Sequence, residues 1–355
     1  MAGAAHGGAE TFFVDLACAF ARAGVAQHVV TRPAPGRLDS LSAAGIAVST
    51  ARFGGILDLA TRRTIGRAIA DFQPDVVLAW MNRAAAAVPR PRAGDRHVTV
   101  GRLGGYYDLK YYRTCQALIG NTADICAHIR NAGRDPALVF HVPNFCPVEP
   151  GAAPDRAPVR ASGAAAPSAR VLLILARLET VKGIDVALRA LAQVKDAELW
   201  IAGEGGERAV LERLAGDLGV RPRVRFLGWR DDRAALLRAA DIVLVPSRHE
   251  PFGNVVVNAW AYGRPLIAAR AQGPAALVRD GIDGLLVDVD DADGLARAIA
   301  DLSADPARAA ALAAAGLARA AAEFSETAVV EGYLSAFRAV RARIGGDLPT
   351  PAGGA

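Results

Sequence analysis

The sequence predicts an α/β protein of two doubly wound, Rossmann-like domains facing a cleft, with the first strand of the N-terminal domain missing. Three observations predict it. Short β-rich runs alternate with stretches of helical period, which implies parallel sheets. The alternation breaks once, over a Pro/Ala/Gly-rich stretch from Pro147 to Ala169, and then restarts. The length, 355 residues, suits two domains that each bury a core.

The start is unusual. Gly7-Gly8-Ala9-Glu10 has the form of a glycine turn that feeds a helix, and such turns normally follow a strand. Only Met1 to His6 precede it, too few for a buried strand of typical length. The expectation is a start further upstream; the alternative is that residues 1–5 form a stub. Phe12, Phe13, Leu16 and Phe20 share one helix face, which ends at Gly24. Strands are expected at Gln27–Thr31, Asp75–Ala79, His97–Gly101, Ala117–Gly120 and Val139–Val142. The first domain therefore spans 1–146, and 147–169 reads as a linker.

In the second half, strands are expected at Val171–Ala176, Glu198–Ala202, Val224–Leu227, Ile242–Val245 and Leu266–Ala269, with helices between them. Ala-rich helices follow around Ala292–Leu302 and Pro306–Glu323, closing a second domain over 170–324. A last amphipathic helix occupies 325–345, ahead of a loose Pro/Gly tail, 346–355. Two doubly wound halves make the cleft between them the natural ligand site.

Composition narrows the function. A chain that is 52% hydrophobic and 22% charged is globular. No apolar run reaches membrane-spanning length, and no basic segment with an apolar core marks a signal peptide. Cys18, Cys115, Cys126 and Cys146 lack metal-site spacing and read as reduced cytoplasmic thiols. A net charge of +5 suits a nucleotide, a phosphate or an anionic membrane surface, and is too mild for nucleic acid. Only three of the 41 basic residues are lysines, Lys110, Lys182 and Lys195, so a Lys can mark a place that needs a compact ammonium.

Three motifs carry chemistry. The strand Ile242–Val245 runs into Ser247-Arg248-His249-Glu250-Pro251-Phe252-Gly253-Asn254. This arrangement presents one carboxylate, Glu250, and free helix N–H groups at the carboxyl end of a strand, where α/β proteins bind ligands. Arg177-Leu178-Glu179-Thr180-Val181-Lys182-Gly183 follows the first strand of the second half. Its Arg177 and Lys182 can converge on a pyrophosphate, and Gly183 with the helix start adds backbone donors. A surface loop bearing two unrelated cations is the alternative. Gly203-Glu204-Gly205-Gly206 follows the next strand; it is either a close approach to a ligand or a tight strand-to-helix turn.

Taken in order, Gly7-Gly8-Ala9-Glu10, Arg177 with Lys182, Gly203-Glu204-Gly205, Phe226-Leu227-Gly228-Trp229 and Glu250-Pro251-Phe252-Gly253 resemble the family 4 glycosyltransferases of the GT-B fold. The resemblance runs over nearly the whole chain. It implies a retaining enzyme with a nucleotide-sugar donor, no cofactor and no bound metal. It also implies a donor-binding C-terminal domain, an acceptor-binding N-terminal domain, and a last helix that crosses back to the first domain. By that likeness Arg177 and Lys182 hold the diphosphate. Glu250 contacts donor-sugar hydroxyls with help from backbone groups near Phe252, Gly253 and Asn254, and Gly8 approaches the phosphates or the transferred sugar. Gly203 and Glu204 complete the donor-side set.

Two departures from the family pattern define further expectations. Position 258 is Asn where the family has Glu against the ribose hydroxyls. An amide offers one acceptor and two donors, so weaker nucleotide affinity is expected, by about 1 kcal/mol, and not a dead site. The region where relatives carry a His reads Gly101-Arg102-Leu103-Gly104-Gly105-Tyr106-Tyr107-Asp108-Leu109-Lys110-Tyr111-Tyr112. Arg102, Tyr106, Asp108 and Lys110 are its polar candidates for the acceptor side, and the four tyrosines either stack on a sugar or pack as an aromatic hinge. The expected partners are a nucleotide sugar, a glycan or lipid-linked acceptor in lipopolysaccharide or other envelope polysaccharide synthesis, and an anionic membrane face. The expected site of action is the cytoplasm or the inner face of its membrane. A non-catalytic sugar-nucleotide binder and a dinucleotide-dependent oxidoreductase are the competing readings. The second lacks a GxGxxG turn followed by an acidic residue.

Overall fold

The computed structural model describes residues 1–3, 7–55, 58–92, 94–148, 159–160 and 169–344. Most of the expected linker, 147–169, and the tail, 346–355, lie outside the described residues, as does His6. The chain divides into two compact units, Met1–Asn144 with Glu326–Ala355, and Phe145–Ser325. Every described strand pairing is parallel.

The first unit opens with helix α1 (Gly8–Arg22), then β1 (His28–Thr31), α2 (Pro35–Ala43), β2 (Ala47–Thr50), α3 (Leu59–Phe72), β3 (Val76–Trp80), α4 (Met81–Ala87), β4 (Val98–Leu103), β5 (Ala117–Gly120), α5 (Ala123–Asn131) and β6 (Val139–His141). Phe12, Leu16 and Phe20 form the buried stripe of α1, as their four-residue spacing requires. Strands β3-β4-β5-β6 form one sheet and β1-β2 a separate pair. Among the described residues no strand precedes α1. Strand β2 escaped the sequence reading because it is a short edge strand with no fully buried residue.

The second unit contains β7 (Arg170–Leu175), α6 (Ile184–Gln193), β8 (Ala197–Ala202), α7 (Arg208–Asp217), β9 (Val224–Gly228), α8 (Arg233–Ala239), β10 (Ile242–Val245), α9 (Asn254–Ala261), β11 (Leu266–Ala269), α10 (Gln272–Leu277), β12 (Leu285–Val287), α11 (Ala292–Ala304) and α12 (Pro306–Glu323). The sheet order is β12-β11-β10-β7-β8-β9. Chain order reverses between β10 and β7, so this is a doubly wound sheet with its switch point there. Both faces are covered. Leu172, Ile174, Leu199 and Ile201 pack toward α6, α7 and α11. Val171, Leu173, Trp200 and Val243 pack toward α8 and α9. This alternation explains why the strands read as continuous apolar runs.

Helix α13 (Glu326–Ile344) belongs to the first unit. Its Tyr333 ring meets Phe20 of α1 edge-on at 5.8 Å, and Glu326 accepts two hydrogen bonds from Arg22 at 2.8 and 2.5 Å.

One glycine of the second unit fixes where its loops meet. Gly183 has φ +63°, and a Cβ there would lie 2.0 Å from the Pro246 carbonyl oxygen. Gly219 has a similar φ of +68° with nothing within 4 Å of the added atom. Left-handed strain alone costs Gly219→Ala about 1 kcal/mol, or roughly 3 °C in Tm for a unit of this size. Gly183→Ala must also displace backbone, and thermal melts are expected to show at least twice that loss. Equal losses would mean that the β7 and β10 loops do not need this approach.

Candidate active site

The candidate site is built by the two loops that leave the carboxyl ends of β7 and β10, which are neighbours at the switch point. The β7 loop, 176–183, passes through a 3-10 turn at Thr180–Lys182 and enters α6. The β10 loop, 246–253, enters α9 from Gly253, whose φ is +98°. The first turns of both helices leave backbone N–H groups without a helical partner.

Lys182 and Glu250 meet where the loops face each other. The Lys182 Nζ donates to Glu250 Oε2 at 2.6 Å, and the two side chains are 17% and 18% exposed. They are 68 positions apart in the chain. Partial burial weakens solvent screening of the pair, so its charges act more strongly than they would at an open surface.

Arg248 holds the loops in register. Its backbone N–H donates to Val181 O at 2.9 Å. Its guanidinium donates to Thr180 O at 2.6 Å, to both Asp185 carboxylate oxygens at 2.9 and 2.7 Å, and to Asp290 at 2.7 Å. Burial pushes the Asp185 carboxyl up, but the hydrogen bonds and charge of Arg248 outweigh it and hold Asp185 below the usual range. Gly273 adds a third loop, with its N–H donating to Glu250 O at 2.7 Å. The sequence reading assigned no role to Arg248 or Asp185. The available signals were an Arg inside the Glu250 block and an acid in the first turn of α6.

The other donor-side residues divide into groups. Arg177 is more than half exposed and pairs with Glu179 at 2.5 Å. Phe252 is buried, Gly253 caps α9 and Asn254 opens it. Asn258 lies one helical turn on, 9% exposed. Among the described residues its side-chain amide makes no hydrogen bond to the protein. Gly203 sits in a tight loop-on-loop contact. At φ +150°, a Cβ there would sit 1.9 Å from the Ala176 carbonyl oxygen, so its bareness serves the packing of one loop on another. Glu204 accepts from Arg208 at 2.8 Å at the unit surface.

In the first unit, Gly8 is the exposed first residue of α1. Arg102, expected on the acceptor side, is 1% exposed. Its guanidinium lies 4.4 Å from the Trp80 ring centroid and donates to Asn144 at 2.5 Å, so it acts from within the core. Tyr106 is exposed and bonds Asp124, and burial followed by that carboxylate pushes its hydroxyl up to about 12. Asp108 and Lys110 are both more than half exposed and pair at 2.7 Å. Tyr112 is fully buried and cannot stack on a sugar, which removes it from the expected aromatic platform. No group of three His, Cys, Asp or Glu among the described residues is arranged to hold a metal. No described helix is long and apolar enough to cross a membrane.

Comparison with known proteins gives consistent matches. Residues 6–149 match the model of Glycosyltransferase Family 4, and residues 169–305 match that of Glycosyl transferases group 1. Two lipopolysaccharide core biosynthesis glycosyltransferases of Rhizobium meliloti (strain 1021) align over nearly the whole chain. LpsE is 36% identical over 330 residues, 92% of this chain and 95% of LpsE. LpsD is 36% identical over 336 residues, 94% of this chain and 95% of LpsD. The crystal structure of Anabaena Alr3699/HepE in complex with UDP and glucose superposes with a TM-score of 0.79 at 23% identity, covering 94% of this chain and 96% of that one.

The Asp185–Arg248 contact sets an acid limit on the site. Because the folded Asp185 value lies below the ordinary carboxylate value near 3.8, its contribution is fully present above that pH and is lost as pH falls through the folded value. Tm measured against pH is expected to separate wild type from Asp185→Asn above about pH 4, with the gap closing on further acidification. A gap independent of pH would remove the charge of Asp185 from the loop contact.

Proposed function

The chain belongs to the family 4 glycosyltransferases and is a nucleotide-sugar-dependent enzyme of the GT-B fold; from that premise we propose that it extends the core of lipopolysaccharide, with retention at the transferred sugar. The observation that carries the donor side is the Lys182–Glu250 pair at the switch point of the second unit. Lys182 and Arg177 neutralise the charge that develops on the departing nucleoside diphosphate, where electrostatic stabilisation is worth most. Glu250 accepts hydrogen bonds from donor-sugar hydroxyls, and the first turn of α9, with Phe252, Gly253 and Asn254, supplies backbone donors.

The sugar C1–oxygen bond to the diphosphate breaks as the acceptor oxygen bonds to C1 on the same face. The acceptor hydroxyl proton passes to the leaving phosphate oxygen. Acceptor recognition falls to the first unit, with Tyr106, Asp108 and Lys110 at its surface and Arg102 positioning Asn144 from below. The lipopolysaccharide-core reading is supported by the two Rhizobium relatives, which cover almost the full chain. The net charge of +5 favours peripheral contact with an anionic membrane, since each basic residue near such a surface contributes about 1 kcal/mol.

The direct test is incubation with a panel of nucleotide sugars and truncated lipopolysaccharide cores, with products read by mass spectrometry and their anomeric configuration by NMR. A new glycosidic bond with the donor's configuration is expected; an inverted product would overturn the course proposed. Asn258 gives a second test. Replacement by Glu is expected to tighten nucleoside diphosphate binding about fivefold in calorimetry, equivalent to roughly 1 kcal/mol of charge assistance to the ribose hydroxyls. Unchanged affinity would remove the ribose contact from position 258.

A further inference from the structure

We propose that Asp290, in the loop between β12 and α11, is a positioning residue for Lys182: acting through Arg248, it fixes the turn that carries the ammonium. The inference rests on the donor-site reading of Lys182 and names the residue that holds that lysine in place. Strand β12 is the edge of the sheet, and β11 lies between it and β10. The loop after β12 still reaches the β10 loop, where the Asp290 carboxylate accepts from Arg248 Nε at 2.7 Å.

The backbone at Asp290 is strained. Its φ is +65°, and among the described residues of the second unit it is the one residue other than glycine in the left-handed region. Asp291 N–H donates to Asp288 O at 3.3 Å, which closes a four-residue turn with Asp290 at its third position. A positive φ at that position favours Gly or Asn, and Asp carries a strain there that glycine would not. The turn does not need this carboxylate for itself. Asp291, and not Asp290, caps α11, accepting from Gly294 N–H at 2.7 Å. The Asp290 side chain is 55% exposed, so its pairing with Arg248 adds little stability to offset the strain. A strained residue kept for one contact points to that contact as its role.

Arg248 shows what the contact controls. Its guanidinium uses four of its five N–H donors. Asp185 takes one edge through both Nη atoms, and Asp290 takes another through Nε. A planar group held on one edge can swing about that edge; held on two, it cannot. The remaining bond runs from Nη1 to Thr180 O at 2.6 Å. Thr180 opens the 3-10 turn Thr180–Lys182, and its carbonyl also accepts from Gly183 N–H at 3.2 Å. The orientation of one guanidinium thus sets the turn on which Lys182 stands, and Asp290 sets the guanidinium.

Two variants of the full chain test this. Glycine suits φ +65° best, so Asp290→Gly keeps the turn and removes only the carboxylate. Asp290→Asn keeps the turn and one acceptor for Nε. Lysine labelled with 13C at its ε carbon gives one signal each for Lys110, Lys182 and Lys195, and the signal lost in Lys182→Met is that of Lys182. The two ε protons of a stem held in one geometry differ, whereas in a free stem they average. Asp290→Gly is expected to move the Lys182 signal and merge its ε protons, to leave the other two lysines unchanged, and to melt within about 2 °C of wild type. Asp290→Asn is expected to restore the wild-type signal. With a donor and acceptor that the wild type turns over, Asp290→Gly is expected to lower kcat about tenfold with donor KM within about twofold, because a displaced ammonium fails the charge that develops in the transition state. An unmoved Lys182 signal in Asp290→Gly overturns the proposal, and so do wild-type kcat and KM. The lysine signal decides whether or not sugar transfer is found, so failure of the proposed activity stays distinct from failure of this role.

Discussion

The ion pair between Lys182 and Glu250 is the contact on which the second unit's site depends. It exists because two parallel strands that are far apart in the chain become neighbours at the switch point. Each strand delivers one loop, and each loop delivers one charge. Neither charge is fully solvated, so removing one leaves the other without compensation, a penalty of about 3–5 kcal/mol for a fully buried pair and less here. The backbone makes the meeting possible. Gly183 approaches Pro246 more closely than a residue with a side chain could, and Arg248 bridges the two loops through Thr180, Val181 and Asp185.

In the proposed donor site, the pair lets one lysine serve both the free and the donor-bound protein. An ammonium has three donors, and Glu250 takes one of them. The remaining two are available to phosphate oxygens, while the second carboxylate oxygen of Glu250 is available to sugar hydroxyls. On that proposal the two loops are already held together by their own charges, which reduces the ordering cost when a donor binds. Arg177 is different. Its exposed pairing with Glu179 is weak and can be exchanged at little cost.

Much of this was legible in the sequence, for identifiable reasons. Strands β5, β10 and β11 were read to the residue, because strands buried on both faces appear as uninterrupted apolar runs. Lys182 and Glu250 were legible because each ends a strand-loop-helix pattern. What sequence could not supply was contact between distant positions. Arg248 and Asp185 are 63 residues apart, and nothing local marks them as partners. Arg102 reads from the sequence as a candidate for the acceptor side; its burial against Trp80 depends on the β3–β4 register, which pairs Trp80 with Arg102. The glycines after β8 read either as a close approach to a ligand or as a tight strand-to-helix turn, and the contact of Gly203 with Ala176 O, invisible in the sequence, adds a packing reason for the first of them. Strand β12, three residues at the sheet edge, was too short to carry a period.

The most direct measurement is a double-mutant cycle on nucleoside diphosphate affinity, by calorimetry, with Lys182→Met, Glu250→Gln and the two combined. If the pair is one functional unit, the lysine change alone weakens binding at least tenfold. The combined loss then departs from the sum of the single losses by more than about 0.5 kcal/mol. Additive losses, or undiminished affinity without Lys182, would contradict the account.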